Sequence, residues 1–177
     1  MIHGIEINVG GRVKSFDERD ITDEIRSFFA AGVDHQELFL TPERMTTRAW
    51  DVLAEAAKWS QANSATFADT HWIGGDPSKY EVYGWASWSR EKGILALRNP
   101  NDQAAKFRLD IGRAFELPQG APTAYELKSP WAEDSRKSPI HVVADHPITI
   151  NLAPFEVAVF DALPEENFHG RSSSAPN

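Results

Sequence analysis

The sequence predicts an α+β fold, a C-terminal antiparallel β-sandwich preceded by a βαβα segment, and three observations carry that reading. The first 63 residues read strand, helix, strand, helix, but from Ala65 onward the period is two and helix signals stop. About seven short apolar runs then follow, separated by Pro, Gly and Asn turns, which is the spacing of an antiparallel sandwich. Residues 80–99 read as a β-hairpin with rings on both faces: Tyr80, Val82 and Trp88 alternate with Tyr83 and Trp85. Such a strand needs a second layer on one side and another domain or a ligand on the other. The expected organisation is a βαβα segment over residues 1–64, a sandwich over 65–164 and a disordered polar tail over 165–177.

Within the first segment, Ile5, Ile7 and Val9 alternate and end at Gly10-Gly11, a short strand and turn. Asp20 is placed as the N-cap of a helix whose apolar stripe is Ile21, Ile25, Phe28 and Phe29, stopped at Gly32. A second strand is expected over 37–40. Thr41-Pro42-Glu43 is a helix start, and the stronger helix runs over 47–63 with a wide apolar face from Ala49 to Trp59. Strand, helix, strand, helix is the order of a parallel sheet, yet two strands do not make a stable one. This segment is therefore expected to lean on the following domain or to belong to a larger α/β unit.

In the second segment, Phe107, Leu109 and Ile111 alternate with polar residues as a half-buried strand. Further strands are expected over 123–128, 140–144, 148–152 and 155–161. Pro130, Pro139, Pro147 and Pro154 fall between them, where a missing N–H does no harm.

Composition narrows the function classes. The formal charge of −8, from 18 basic and 26 acidic residues, offers no footprint for a phosphate backbone, so nucleic acid is not expected as a partner. With no cysteine there is neither a disulfide framework nor a thiolate metal site. No apolar run is long enough to span a membrane, and no secretory signal is read at the start. Neither a cofactor nor a metal site is expected: Asp69, His71 and Asp76 are near one another, but hydrogen-bonded positions at the junction between helix and sandwich account for Asp69 and His71, and a turn over Gly74-Gly75-Asp76-Pro77 accounts for Asp76. Serine-nucleophile elbows and phosphate-cradling loops are absent from the sequence.

Six tryptophans are more than average for 177 residues. Core filling accounts for most such rings. The alternative is sugar binding, in which a flat ring stacks on a pyranose, and the candidate substrate-binding residues are Trp72, Trp85 and Trp88, with Trp131 as a further possible platform. Glu37, beside Asp34 and His35 where a strand begins, is the candidate carboxylate, with pairing to Arg26 or Arg44 as its simpler explanation.

Several stretches together resemble a known family. The order of His3-Gly4-Ile5, Arg26-Ser27-Phe28-Phe29, Gln36-Glu37-Leu38-Phe39-Leu40-Thr41-Pro42 and Asp69-Thr70-His71-Trp72-Ile73-Gly74-Gly75-Asp76-Pro77 is similar to the C-terminal part of α-galactosidase-like glycoside hydrolases. Gly84-Trp85-Ala86-Ser87-Trp88 and Leu152-Ala153-Pro154-Phe155 through Phe160 resemble the sandwich that follows the (β/α)8 barrel in that group. The resemblance implies that residues 1–64 correspond to the last barrel elements. It also implies that the two catalytic carboxylates lie on earlier strands, so no catalytic residue is assigned here and the chain alone is expected to be inactive. Expected partners are carbohydrate and the missing barrel portion, or self-association through apolar surface exposed around Ile5, Ile7, Phe28 and Leu38. The implied parent enzyme is compatible with export. The other readings of the chain are a stand-alone carbohydrate-binding sandwich and an interaction domain without ligand.

Overall fold

The structure, a computed structural model, describes residues 2–7, 18–33 and 35–165, with residues 2–7 and Arg44 given by backbone alone. Its elements are β1 (Ile2–Ile7), α1 (Glu18–Ala30), β2 (His35–Leu40), α2 (Thr47–Ala62), α3 (Ser64–Phe67), β3 (Thr70–Gly74), β4 (Tyr83–Trp88) and β5 (Gly93–Arg98). They continue with β6 (Ala105–Leu109), α4 (Ile111–Ala114), β7 (Ala124–Lys128), β8 (Ile140–Val143), β9 (Ile148–Leu152) and β10 (Val157–Pro164). The fold is the expected α+β arrangement: a βαβα segment, then a sandwich of a six-stranded sheet, ordered β3-β4-β5-β10-β7-β8, and a β6-β9 pair. Every pairing in the sandwich is antiparallel, whereas β1 and β2 are parallel.

The six-stranded sheet is covered on both sides, which is why its central sequences are apolar at successive positions. On one face Val82, Ala86, Leu95, Leu97, Tyr125 and Leu127 meet Leu109, Ile150 and Leu152 of the second sheet, together with Ile111 and Phe115. On the other, Ala96 and Val159, with Trp85 beside them, meet Ile25, Phe28 and Phe29 of α1 and Val52, Leu53 and Ala56 of α2. Gly84 is required where β4 approaches β5, because a Cβ there would run into the carbonyl oxygen of Ala96.

Several expectations are corrected. Asp20 is inside the first turn of α1, which begins at Glu18, and Phe28, expected on an open surface, is buried under the sheet. Ile111 opens α4 instead of extending a strand, since the Asp110 carboxylate accepts from Gly112 N at 3.0 Å and Arg113 N at 3.5 Å and caps that turn. Phe155 has a left-handed backbone, φ 58°, so the last strand starts at Val157 and runs on to Pro164. Gly32, also left-handed at φ 63°, ends α1 as expected. Val9 of the first predicted strand, and the tail beyond Glu165, lie outside the described residues.

Candidate functional site

Strand register decides what the tryptophans can do. Trp72 on β3 is paired directly with Trp85 on β4, and Tyr83 lies two residues along β4 on the same face. Trp72 and Tyr83 stack, with centroids 4.8 Å apart and planes 5° from parallel, and Trp85 meets each of them edge-on at 5.8 Å. Trp72 is 49% exposed, and the two other rings are half-buried. The three form an aromatic shelf on the helix-bearing face of the sheet, beside α1.

The other candidates lie elsewhere. Trp88 points to the opposite face, packs against the sandwich core and donates its indole N–H to Tyr125 Oη at 2.8 Å. Trp131 is buried, 3% exposed, between Trp59 and the guanidinium of Arg26. Glu37 is exposed near the middle of β2, with its carboxylate 3.3 Å from His35 Nε2. Arg26, a predicted partner of Glu37, belongs to another group: it binds Glu133 at 2.8 Å and lies 3.9 Å from Glu55. His71 bonds the Ala114 carbonyl at 2.8 Å, the structural role expected for it. Among the described residues there is no cluster of metal-binding side chains, and no helix is long and apolar enough to cross a membrane.

Two features went unassigned in the sequence. Tyr83 completes the shelf, and its place on the same alternation face as Trp85 was the available signal. The second is a groove of about 740 Å³ between α1, the loop after β7, β9 and β10, floored by Ile150, Val157 and Val159 and rimmed by charge. Burial pushes the Asp23 carboxyl on this rim up to about 6; Glu156 adds to the rise, while Arg19, Arg26 and the Val157 N–H oppose it. Across the groove, burial works to raise the Glu133 carboxyl, but bonds from Arg26 and Arg48 prevail and hold it below its ordinary value. Arg26 is buried, and its Nε and Nη2 have no hydrogen-bond partner among the described residues; its Cζ lies 4.7 Å from the Trp131 ring centre. These charges bind α1 and α2 to the sandwich.

The surface of the βαβα segment is open on the side away from the sandwich. His35, Glu37 and Phe39 share one face of β2 and are all exposed, Phe39 by 58%. Gln36, on the other face, donates to Ser60 of α2 at 3.4 Å, and Leu40 packs toward the helices. Neither outer edge of the β1-β2 pair carries a further strand among the described residues.

No family model matches the sequence, and no curated protein matches it. Solved structures do match in fold. One is α-galactosidase I from Mortierella vinacea, with a TM-score of 0.60 and 13% identity, covering 90% of this chain and 38% of that one. The α-galactosidase from Saccharomyces cerevisiae, solved with raffinose, gives 0.59 at 10% identity, over 92% of this chain and 46% of the other. An α-amylase from Anoxybacillus matches more distantly, with 0.51 and 13% identity over 82% of this chain and 32% of its own. The chain thus spans less than half the length of each of these enzymes. Its fold is that of the C-terminal region of α-galactosidase-like glycoside hydrolases.

Proposed function

We propose that this chain is the C-terminal portion of a glycoside hydrolase of the α-galactosidase type, in which residues 1–64 close a (β/α)8 barrel and the sandwich over 65–164 braces it. The observation that carries the reading is the parallel β1-β2 pair: a two-stranded sheet with helices docked on one face, a bare Phe39 on the other, and no further strand on either edge among the described residues. A parallel strand pair gains stability only when both faces are buried, and a barrel interior supplies the second covering.

Chemistry follows from position. Active sites of such barrels lie at the C-terminal ends of the strands, whereas Glu37 is the third of six residues in β2 and faces the barrel lumen near its middle. It therefore packs or orients, and the nucleophile and general acid come from barrel strands outside this chain. Trp131 and Arg26 fix the outer helices to the sandwich, so the sandwich holds the last βα units in register with the catalytic ones.

The test is hydrolysis of nitrophenyl galactosides and glucosides by the purified chain alone and by the chain together with a barrel portion. Turnover is expected only with the barrel portion present. Turnover by the chain alone that disappears in Glu37→Gln would place the catalytic machinery inside it and overturn the proposal.

A further inference from the structure

We propose that the shelf of Trp72, Tyr83 and Trp85 is the seat of one particular helix, the one that precedes β1 in barrel order. This rests on the barrel reading above and adds to it a specific surface and occupant.

The position of α1 on the sheet supplies the argument. At its middle, Glu24 pairs with Arg98 at the end of β5 and Asp23 lies beside Val157 at the start of β10. At its C-terminus, Gly32 sits so close to Thr70 at the start of β3 that a side chain there would collide with it. Because Val157 is paired with Arg98, and Arg98 with Tyr83, while Thr70 is paired with Ser87, these contacts stretch α1 diagonally across the sheet. The flank toward β10 and β7 is taken by α2, whose Trp59 donates to Asp161 at 3.2 Å and touches Trp131. The remaining flank is the corner where β3 and β4 carry Trp72 and Tyr83. In an α/β barrel successive helices stand side by side around the outside. With α2 on one side of α1, the preceding helix must stand on the other, which is over the shelf.

The chemistry of the shelf fits that occupant. Its floor is continuous with the covered helix-sheet interface, since Trp85 packs against the same cluster that holds Ile25, Phe28 and Val52. Rings stacked on one another and edge-on to a third make a broad apolar ledge in place of a single flat platform, and each can bury roughly 150–250 Å². The occupant is an amphipathic helix with an apolar stripe toward the rings.

Benzoylphenylalanine is installed at Trp72 or, separately, at Phe39 of the chain produced in its natural host, the cells are irradiated, and the adduct peptides are sequenced. The Phe39 position should capture barrel strands, and the Trp72 position should capture the helix that immediately precedes β1 in an α/β-repeat sequence, whether in the same polypeptide or another. Barrel adducts at Phe39, with none at Trp72 or with a second copy of the chain there, would overturn the shelf assignment and leave the proposed function standing. Barrel adducts at neither position would overturn both. Quenching of Trp72 fluorescence by galactosides, read as loss of the response in Trp72→Phe, together with protection from cross-linking, would make the shelf a sugar platform and also overturn the assignment.

Discussion

At the seam between α1 and β10, Asp23 is held with its carboxyl raised to about 6. An unfolded aspartate titrates near 3.8, so the folded state binds the extra proton between the two values and stability falls as pH rises through that window. Thermal melts from pH 4 to pH 7 should therefore show a declining component that Asp23→Asn removes, with the variant the more stable protein at pH 7. A melting profile unchanged in slope by the substitution would contradict the assignment. One turn further along α1, Arg26 holds Glu133 and lies over Trp131. Arg26→Ala should cost about 2–4 kcal/mol in urea unfolding, because it strips a buried cation from its ring and leaves Glu133 with Arg48 alone. Single residues were only partly legible in the sequence. Alternation separated Trp85 from Trp88 correctly, since it needs nothing but the pleat. That Trp72 and Tyr83 stack, and that Arg26 meets Glu133 instead of Glu37, depends on strand register and on distant segments, which no local pattern encodes.

At the scale of elements, β4 and β5 approach too closely for any side chain at position 84. Gly84→Ala should lose about 3 kcal/mol or more, or fail to fold, because the new methyl must displace the Ala96 carbonyl from the ladder. The turn of α4 is a milder case: Asp110→Ala removes the cap on Gly112 N and should cost about 1 kcal/mol by denaturant titration. That cap also explains the misreading of Ile111, since the period of two in Phe107 and Leu109 extends to it while Asp110 turns the chain one residue earlier. The long helix was legible to within a residue because Thr46 caps it and its apolar stripe is wide. The ends of β2 and β10 were not, as both extend into polar or proline-containing sequence whose backbone bonds come from the partner strand.

For the whole molecule, the change of hydrophobic period announced a sandwich after the βαβα segment, and two-sided apolar strands announced that the sheet would be covered twice. Helix does not stop at Ala65, however, since α3 runs across that position from Ser64 to Phe67. Which surfaces stay open was not legible, because Phe28 and Phe39 look alike in sequence; one is buried under the sheet and the other is 58% exposed. Leu38 on one face of β2, Phe39 on the other and Trp72 on β3 are each more than 40% exposed. Sedimentation velocity should show concentration-dependent association of the isolated chain, reduced in the Phe39→Lys variant. The most direct measurement of whether the first 64 residues depend on a missing barrel is amide hydrogen exchange on the isolated chain. Residues 35–40 of β2 should exchange much faster than residues 93–98 of β5, which lie between two paired neighbours. A monomer in which β2 is protected to the same degree as β5 would show a segment complete in itself and contradict the barrel-end reading.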